Sequence, residues 1–251
     1  MSTDLKTLDI SVIIPTYNEE KGLSVLLPEL LLVSGLLEVL VVDGGSTDNT
    51  VATARALGAK VLPSTFGKAS QMNAGAHAAM GDILLFLHGD TRLEPGFADL
   101  VRRALGKPGV AAGAFRLVID GKGFGLRIIE WLANFRARVF QMPYGDQALF
   151  VRSDLFSAVG GFPTLPILED FELVRKLKHK GHIAILSLGA TTSPRRWENL
   201  GVLQTTLINQ AIILGYLLGV APEKLAAWYR KERNPKRIKE TAASRNKFSH
   251  R

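Results

Sequence analysis

The sequence predicts an α/β fold in which a mostly parallel central sheet is covered by helices on both faces. Three observations carry that expectation: short β-branched runs that are apolar on both sides, helical patterns between them, and polar residues collected where the runs end. "ISVIIPTY" (10–17), "EVLVVDG" (38–44), "AKVLPS" (59–64) and "DILLFLHGD" (82–90) read as strands, and 19–33, 47–57 and 68–80 as the helices that connect them. In such sheets ligands gather at the carboxyl ends of the strands. Thr16, Tyr17, Asn18 and Glu19 follow the first strand, Asp43 to Asp48 the second, and His88, Gly89, Asp90 and Thr91 the fourth. Helix capping accounts for any one cluster. All three together point to one crevice.

Further on, "GKGFG" (121–125) reads as a flexible turn and "ALFVRS" as a strand entered through a turn at Tyr144–Gln147. "PILEDFELVRKLKHKG" (166–181) reads as a helix with Phe171, Val174 and Leu177 on one face, a Glu172–Lys176 pair, and Gly181 as its stop. From Asn199 to Pro222 no residue is charged, but Gln204, Thr205, Thr206, Asn209 and Gln210 interrupt the apolar run, which leaves too little to span a membrane. The segment reads either as a helix packed on the body or as an interfacial helix.

Composition narrows the chemistry. The chain has no cysteine, so disulfides and thiolate metal sites are excluded, and any metal must be held by oxygen or by the five histidines. The start has no basic region followed by an apolar stretch, so a cytoplasmic protein is expected. Of the net charge of +8, Pro222–Arg251 carries +7, with ten Lys/Arg against three Glu. The body is nearly neutral, which weighs against a nucleic-acid-binding protein acting through the basic tail and against nucleic acid as a partner, and raises peripheral contact with the inner face of a membrane through 199–251. No full GxGxxG, P-loop, GxSxG or HExxH is present, which weighs against dinucleotide, Walker-type, serine hydrolase and zinc protease readings.

The clusters suggest roles. Asp43 beside Gly44 and Gly45 can accept from the N–H or O–H groups of a base or ribose. Asp90, emerging from an apolar strand beside Gly89, suits a hard divalent cation shared with phosphates. Glu169 and Asp170 at a helix start either complement the helix dipole or present a general base to an incoming hydroxyl.

Taken in order, "VIIPTYNE", "VVDGGSTDNT", "GKASQMNAGA", "LFLHGDT", "GDQALFVRS", "LEDFELVRKLKHKG" and "SPRRWENLG" resemble the motif series of family 2 glycosyltransferases with the A-type (GT-A) fold. The resemblance runs from about residue 10 to 201. It is closest to the bacterial subgroup called radical-SAM/selenodomain-associated transferase 2, or arsenosugar biosynthesis glycosyltransferases.

The resemblance implies a Rossmann-like GT-A catalytic domain over 1–197, with a nucleotide-binding half at 10–91 and an acceptor half at 92–197, and a helical, basic extension over 198–251. It implies a nucleotide-diphosphate sugar donor, Mn²⁺ or Mg²⁺, and an inverting transfer to an acceptor that is either a small molecule or lipid-linked. Pro15, Thr16, Tyr17 and Glu19 would line the nucleoside pocket, with Asp43 accepting from the base. Lys68 and Asn73 would lie near the donor. Asp90 matches the last acid of the family's Asp-X-Asp element and would bind the metal. Asp170 matches the general base, beside Glu169. Arg195, Arg196 and Trp197 resemble the element that closes over the diphosphate. Tyr144, Gly145, Asp146 and Gln147 fall where the family contacts donor sugar and acceptor. His88 stands where many relatives carry the first Asp, which leaves its role and the strength of metal binding open. A sugar nucleotidyltransferase would share the crevice but release pyrophosphate.

Overall fold

The computed structural model describes residues 8–233. The chain divides into two compact units, Met1–Thr164 with Glu169–Pro194, and Leu165–Leu168 with Arg195–Arg251. In the first unit the elements run β1 (Ile10–Thr16), α1 (Glu20–Leu31), β2 (Leu36–Asp43), α2 (Thr50–Ala56), β3 (Lys60–Pro63), α3 (Lys68–Ala78), β4 (Ile83–Phe86), β5 (Thr91–Leu93), α4 (Phe97–Leu105), β6 (Val110–Ile119) and α5 (Phe124–Phe140). After a 3₁₀ turn at Gly145–Gln147 follow β7 (Phe150–Arg152), α6 (Ser153–Ala158), α7 (Glu169–Lys178) and β8 (His182–Thr192).

The strands form one sheet in the order β3-β2-β1-β4-β7-β6-β8-β5. Pairing is parallel through β3, β2, β1 and β4, antiparallel on both sides of β7, parallel between β6 and β8, and antiparallel at β5. The sheet is thus mostly parallel, as expected, with β7 and β5 reversing direction. β1 shows why its strand had to be mostly apolar. Ile10, Val12 and Ile14 pack into a core with Leu23 and Leu27 of α1 and Phe97 and Val101 of α4. Ile13 turns to the other face, against Met72 of α3 and Leu173 of α7. Successive side chains of a strand alternate faces, so a sheet with helices on both sides buries every one.

Four sequence expectations are corrected by the structure. The fourth strand ends at Phe86 rather than at Asp90. The Leu87 N–H still donates to the Ile13 carbonyl, but the Thr91 N–H then donates back to the His88 carbonyl at 3.0 Å and closes a turn over His88–Thr91. Helix α7 starts at Glu169 rather than at 166, after Leu168 at φ 67°. Its Glu172 pairs with Arg175 at 3.3 Å, while Lys176 donates to the Val159 carbonyl. Gly181 is not a left-handed cap: a methyl there would lie 2.5 Å from the Gly109 carbonyl oxygen, so it is small because β6 approaches it. Phe171, Val174 and Leu177 are buried, as the periodicity predicts.

The second unit contains α8 (Arg195–Leu200), α9 (Val202–Leu217) and α10 (Pro222–Arg233). α9 and α10 pack closely because Gly215 leaves room for Leu225, whose Cδ2 a methyl at 215 would meet at 3.0 Å. Among the described residues, no helix is long and apolar enough to cross a membrane. The basic segment beyond Arg233 lies outside the described residues.

Helix α3 is seated on β1 and β2 through Gly75, where a methyl would come 2.4 Å from Ile13 Cγ2 and 2.9 Å from Val42 Cγ2. Gly→Ala inside a helix gains about 1 kcal/mol in propensity. Overpacking a tight core costs about 1–3 kcal/mol, and two buried methyls cannot both retreat. Gly75→Ala is therefore expected to lower the melting temperature by a few degrees, read by calorimetry.

Candidate active site

The parallel register aligns the tips of β1, β2 and β4, with Thr16 beside Asp43 and Ile13 beside Phe86. The fully buried Gln71 of α3 pins two of those tips, its Nε2 donating to the Thr16 carbonyl at 2.7 Å and to the Val42 carbonyl at 2.8 Å. Asp43 is 7% exposed. Its Oδ2 accepts the N–H groups of Gly45 and Ser46, each at 2.9 Å, and its Oδ1 accepts the Ser46 hydroxyl. The glycine it needs is Gly45, at φ 90°, which lets the chain fold back onto the carboxylate.

The loops after β1 and β2 hold each other. Asn18 donates its N–H to Ser46 Oγ and accepts the Thr47 N–H, and Glu19 donates its N–H to Thr50 Oγ1. Asp48 accepts the Thr50 hydroxyl, which holds its carboxyl below the usual range. Pro15 and Thr16 are buried beneath this loop pair, while Tyr17 is 45% exposed and meets Phe66 edge-on at 4.7 Å. Phe66, 70% exposed, is an aromatic that sequence reasoning passed over. Its signal was a large apolar side chain in a polar loop.

The turn carrying His88, Gly89 and Asp90 packs on the first turn of α1. A methyl at Gly22 would lie 2.5 Å from the Gly89 carbonyl oxygen, and one at Gly89 would lie 3.5 Å from Glu19 Cβ. Glu19 and Gly89 therefore meet although 70 residues separate them. Among the described residues, no group of three or more His, Cys, Asp or Glu could hold a metal ion. Asp90 can supply part of a coordination shell, and a Mg²⁺-like ion taking one or two carboxylates plus substrate phosphates fits such a sparse donor set.

A cleft opens beside this turn, lined by Lys68, Met72, Phe86, His88, Gly145, Leu149, Phe162, Glu169 and Asp170. Asp170 is its best-organised group: Oδ2 accepts the Gly145 N–H and Oδ1 the Phe171 N–H, both at 2.7 Å. A methyl at Gly145 would come 3.1 Å from Asp170 Oδ2 and 3.4 Å from His88 Nε2, so the three share one corner. Lys68 Nζ lies 3.5 Å from His88 Nε2. Burial pushes the Glu169 carboxyl up to about 7, the Asp170 charge pushes the same way, and Lys68 opposes both.

Some expected contacts are used elsewhere. Both ends of the Asn73 amide bond the Phe162 backbone, at 2.8 and 3.0 Å, which ties α3 to the loop before α7. Gln147, expected to touch sugar or acceptor, is fully buried and donates to the Phe115 carbonyl. The Tyr144 ring lies 3.3 Å beneath the Arg136 guanidinium, and burial raises its hydroxyl's pKa. Asp146 sits half-buried in the same 3₁₀ turn. Arg195 is exposed and Trp197 buried on α8 of the second unit, and the Arg196 side chain lies outside the described residues.

Comparison with known proteins sets this geometry in a family, since residues 11–160 match the model of glycosyl transferase family 2. The chain belongs to glycosyl transferase family 2. Family 2 relatives include the 4,4'-diaponeurosporenoate glycosyltransferase of Staphylococcus haemolyticus, 41% identical over 95 residues, 35% of this chain and 25% of that protein. The undecaprenyl-phosphate 4-deoxy-4-formamido-L-arabinose transferase of Yersinia enterocolitica is 30% identical over 107 residues, 38% of this chain and 33% of that protein. The matched segments thus span a third or less of these relatives.

Among solved structures, glucosyl-3-phosphoglycerate synthase from Mycobacterium tuberculosis, in complex with Mn²⁺ and UDP-glucose, superposes with a TM-score of 0.60 at 22% identity, over 81% of this chain and 78% of that one. A mannosyltransferase from Pyrobaculum calidifontis, in complex with GDP-Man and Mn²⁺, gives 0.57 at 19% identity, over 90% and 69%. The fold of this family 2 member is the α/β GT-A fold.

Glu169 generates a pH dependence. In the unfolded chain its carboxyl titrates near 4.5, and in the folded chain near 7. The folded state therefore holds the extra proton between these values, and stability falls as pH rises through that window, by on the order of 3 kcal/mol at 1.36 kcal/mol per pH unit. Glu169→Gln keeps the neutral form, so its melting temperature should exceed that of the wild type above pH 7. The difference should close as pH falls toward 4.5, measured as melting temperature against pH.

Proposed function

We propose that the protein transfers a sugar from a nucleotide-diphosphate sugar to an acceptor hydroxyl with inversion at the anomeric carbon, and that Asp170 is the general base. The observation that carries this reading is the Asp170 carboxylate in the cleft, each oxygen fixed by one backbone N–H. Each oxygen keeps a lone pair for an incoming hydroxyl. The acceptor oxygen bonds to the anomeric carbon as the bond to the diphosphate oxygen breaks. The departing electron pair leaves with the nucleoside diphosphate, and the acceptor proton passes to Asp170. Attack opposite the leaving group inverts the centre, and one base suffices because the leaving group is already good.

Neighbouring groups suit the cleft to an anionic leaving group. Glu169 retains its proton to about pH 7, so it adds little repulsion toward a diphosphate. Lys68 brings a cation to the same cleft. Asp90 would hold Mn²⁺ or Mg²⁺, and when bound that ion supplies charge neutralisation at the leaving diphosphate. Support for a metal and a nucleotide sugar comes from the mycobacterial and archaeal structures with Mn²⁺ and UDP-glucose or GDP-Man. Tyr17 and Phe66, beside the Asp43 loop, suit a nucleoside face. Arg195, Arg196 and Trp197 remain proposed as a diphosphate-closing element on motif grounds, as does the arsenosugar biosynthesis subgroup.

Undecaprenyl-phosphate in the name of the Yersinia relative favours a lipid-linked acceptor over a small one. With it goes a cytoplasmic protein working at the inner face of a membrane.

The test is nucleoside diphosphate release from a panel of UDP- and GDP-sugars with Mn²⁺, resolved by chromatography. Asp170→Asn is expected to lower turnover about 10²–10⁴-fold; the melting temperature should fall by a few degrees, since the amide oxygen keeps only one of the two backbone hydrogen bonds, and the thermal shift given by the nucleoside diphosphate should stay as in the wild type. Wild-type turnover in a folded Asp170→Asn protein would remove the base assignment. Pyrophosphate as product would make the chain a nucleotidyltransferase.

A further inference from the structure

Helix α5 is amphipathic the wrong way round for a helix on a globular body. Its inward face buries Leu126, Glu130, Ala133 and Ala137, three small or polar residues and a single leucine. Its outward face carries Phe124, Ile128, Trp131, Leu132, Phe135 and Val139, at 82, 42, 63, 45, 47 and 56% exposure. From Phe124 these fall at +4, +7, +8, +11 and +15, one continuous stripe of a 3.6-residue helix. Trp131 and Phe135 stack at 5.5 Å and 18°, and Phe140 extends the cluster edge-on at 6.4 Å from Phe135. Isolated exposed apolar residues are ordinary, but a contiguous aromatic stripe marks a surface that something covers.

Charge identifies the cover. The exposed charges on and beside α5 are mostly cationic: Lys122 before its start, Arg127 and Arg138 along its edge, and Lys178, whose Nζ donates to the Phe140 carbonyl at 2.9 Å. The helix has one acid, Glu130, which is buried and paired with Arg127 at 3.1 Å. Asp120, just upstream, is paired with Arg92.

We propose that this outward face of α5 docks onto an anionic lipid bilayer, lying in the interface plane with its aromatic stripe among the acyl chains and its cations at the headgroups. The contact is separate from the basic C-terminal segment and does not depend on the reaction proposed above. It also reaches the cleft. Arg136, at the far end of α5, donates to the Met142 carbonyl at 2.9 Å and covers the Tyr144 ring, and the next residue is Gly145, whose N–H holds Asp170. A bilayer against α5 thus lies beside the element that fixes the proposed base.

The full-length chain is floated with vesicles of phosphatidylcholine alone or mixed with phosphatidylglycerol, with no donor present, so the result is independent of the transfer reaction. Wild type should float with the mixed vesicles. The double variant Trp131→Glu, Phe135→Glu should bind at least about tenfold more weakly, since two aromatic side chains lose their burial, and Arg138→Gln about fivefold more weakly, the share of one interfacial cation. Melting temperatures should be unchanged, since these side chains face solvent. Brominated phosphatidylcholine in the mixed vesicles should quench wild-type tryptophan fluorescence far more than that of Trp131→Phe. Equal flotation of wild type and double variant, quenching that Trp131→Phe leaves untouched, or no flotation of the wild type would overturn the proposal. So would a wild-type dimer, without lipid, that the double variant dissociates, because a second copy would then cover the face.

Discussion

The parallel hydrogen bonding of β1 between β2 and β4 is the constraint from which the site follows. A parallel pair sends both chains out at the same edge, so the loops after β1, β2 and β4 must meet, and the polar residues in them have nowhere else to go. The sheet then needs fasteners where its ladder stops. Gln71 supplies one by spanning two strand-end carbonyls, and Asp43 supplies another by gathering three donors of its own loop. Both groups are buried, where an unpaired polar atom is costly. Neither can let go without leaving orphans, so the crevice is stiff before any ligand arrives.

The cleft beyond it gives two adjacent carboxyl groups different environments. Glu169 and Asp170 are adjacent in sequence and line the same cavity. Asp170 has two backbone donors for its charge, whereas burial is the first influence on Glu169 and keeps it protonated to about pH 7. Two acids adjacent in sequence thus have different surroundings. Lys68 and His88 line the same cleft, with Nζ and Nε2 3.5 Å apart.

Helix α5 joins these layers to the outside. Its buried face is thin in apolar area, so it is held to the sheet as much by polar ties, among them Asn134 bonding both backbone groups of Leu117, and Glu130 accepting the Ile119 N–H, as by packing. Those ties fix the helix rotation. They explain why the large side chains face outward and why Arg136 reaches the turn that holds Asp170.

The sequence by itself determined the order of the first four strands and the three helices between them, the two-sided burial of β1 and the three polar loop clusters, because period-2 and period-3.6 patterns are written locally. The ordered motifs likewise pointed to family 2, which the match over 11–160 shows. Tertiary structure alone decided the rest. The run at 82–90 reads as one strand, yet a turn bond between Thr91 and His88 ends it early. Glu172 had two basic neighbours at helical spacing, and only the position of the Val159 carbonyl sent Lys176 away and left Arg175. Gly181 looked like a cap until β6 was beside it. Asn73, Gly145 and Gln147 read as ligand contacts; Asn73 and Gln147 serve as internal braces, and the Gly145 N–H is the donor that holds Asp170. The physical reason is common to all: backbone groups have no signature in the sequence, and which side chain satisfies them depends on what folding brings near.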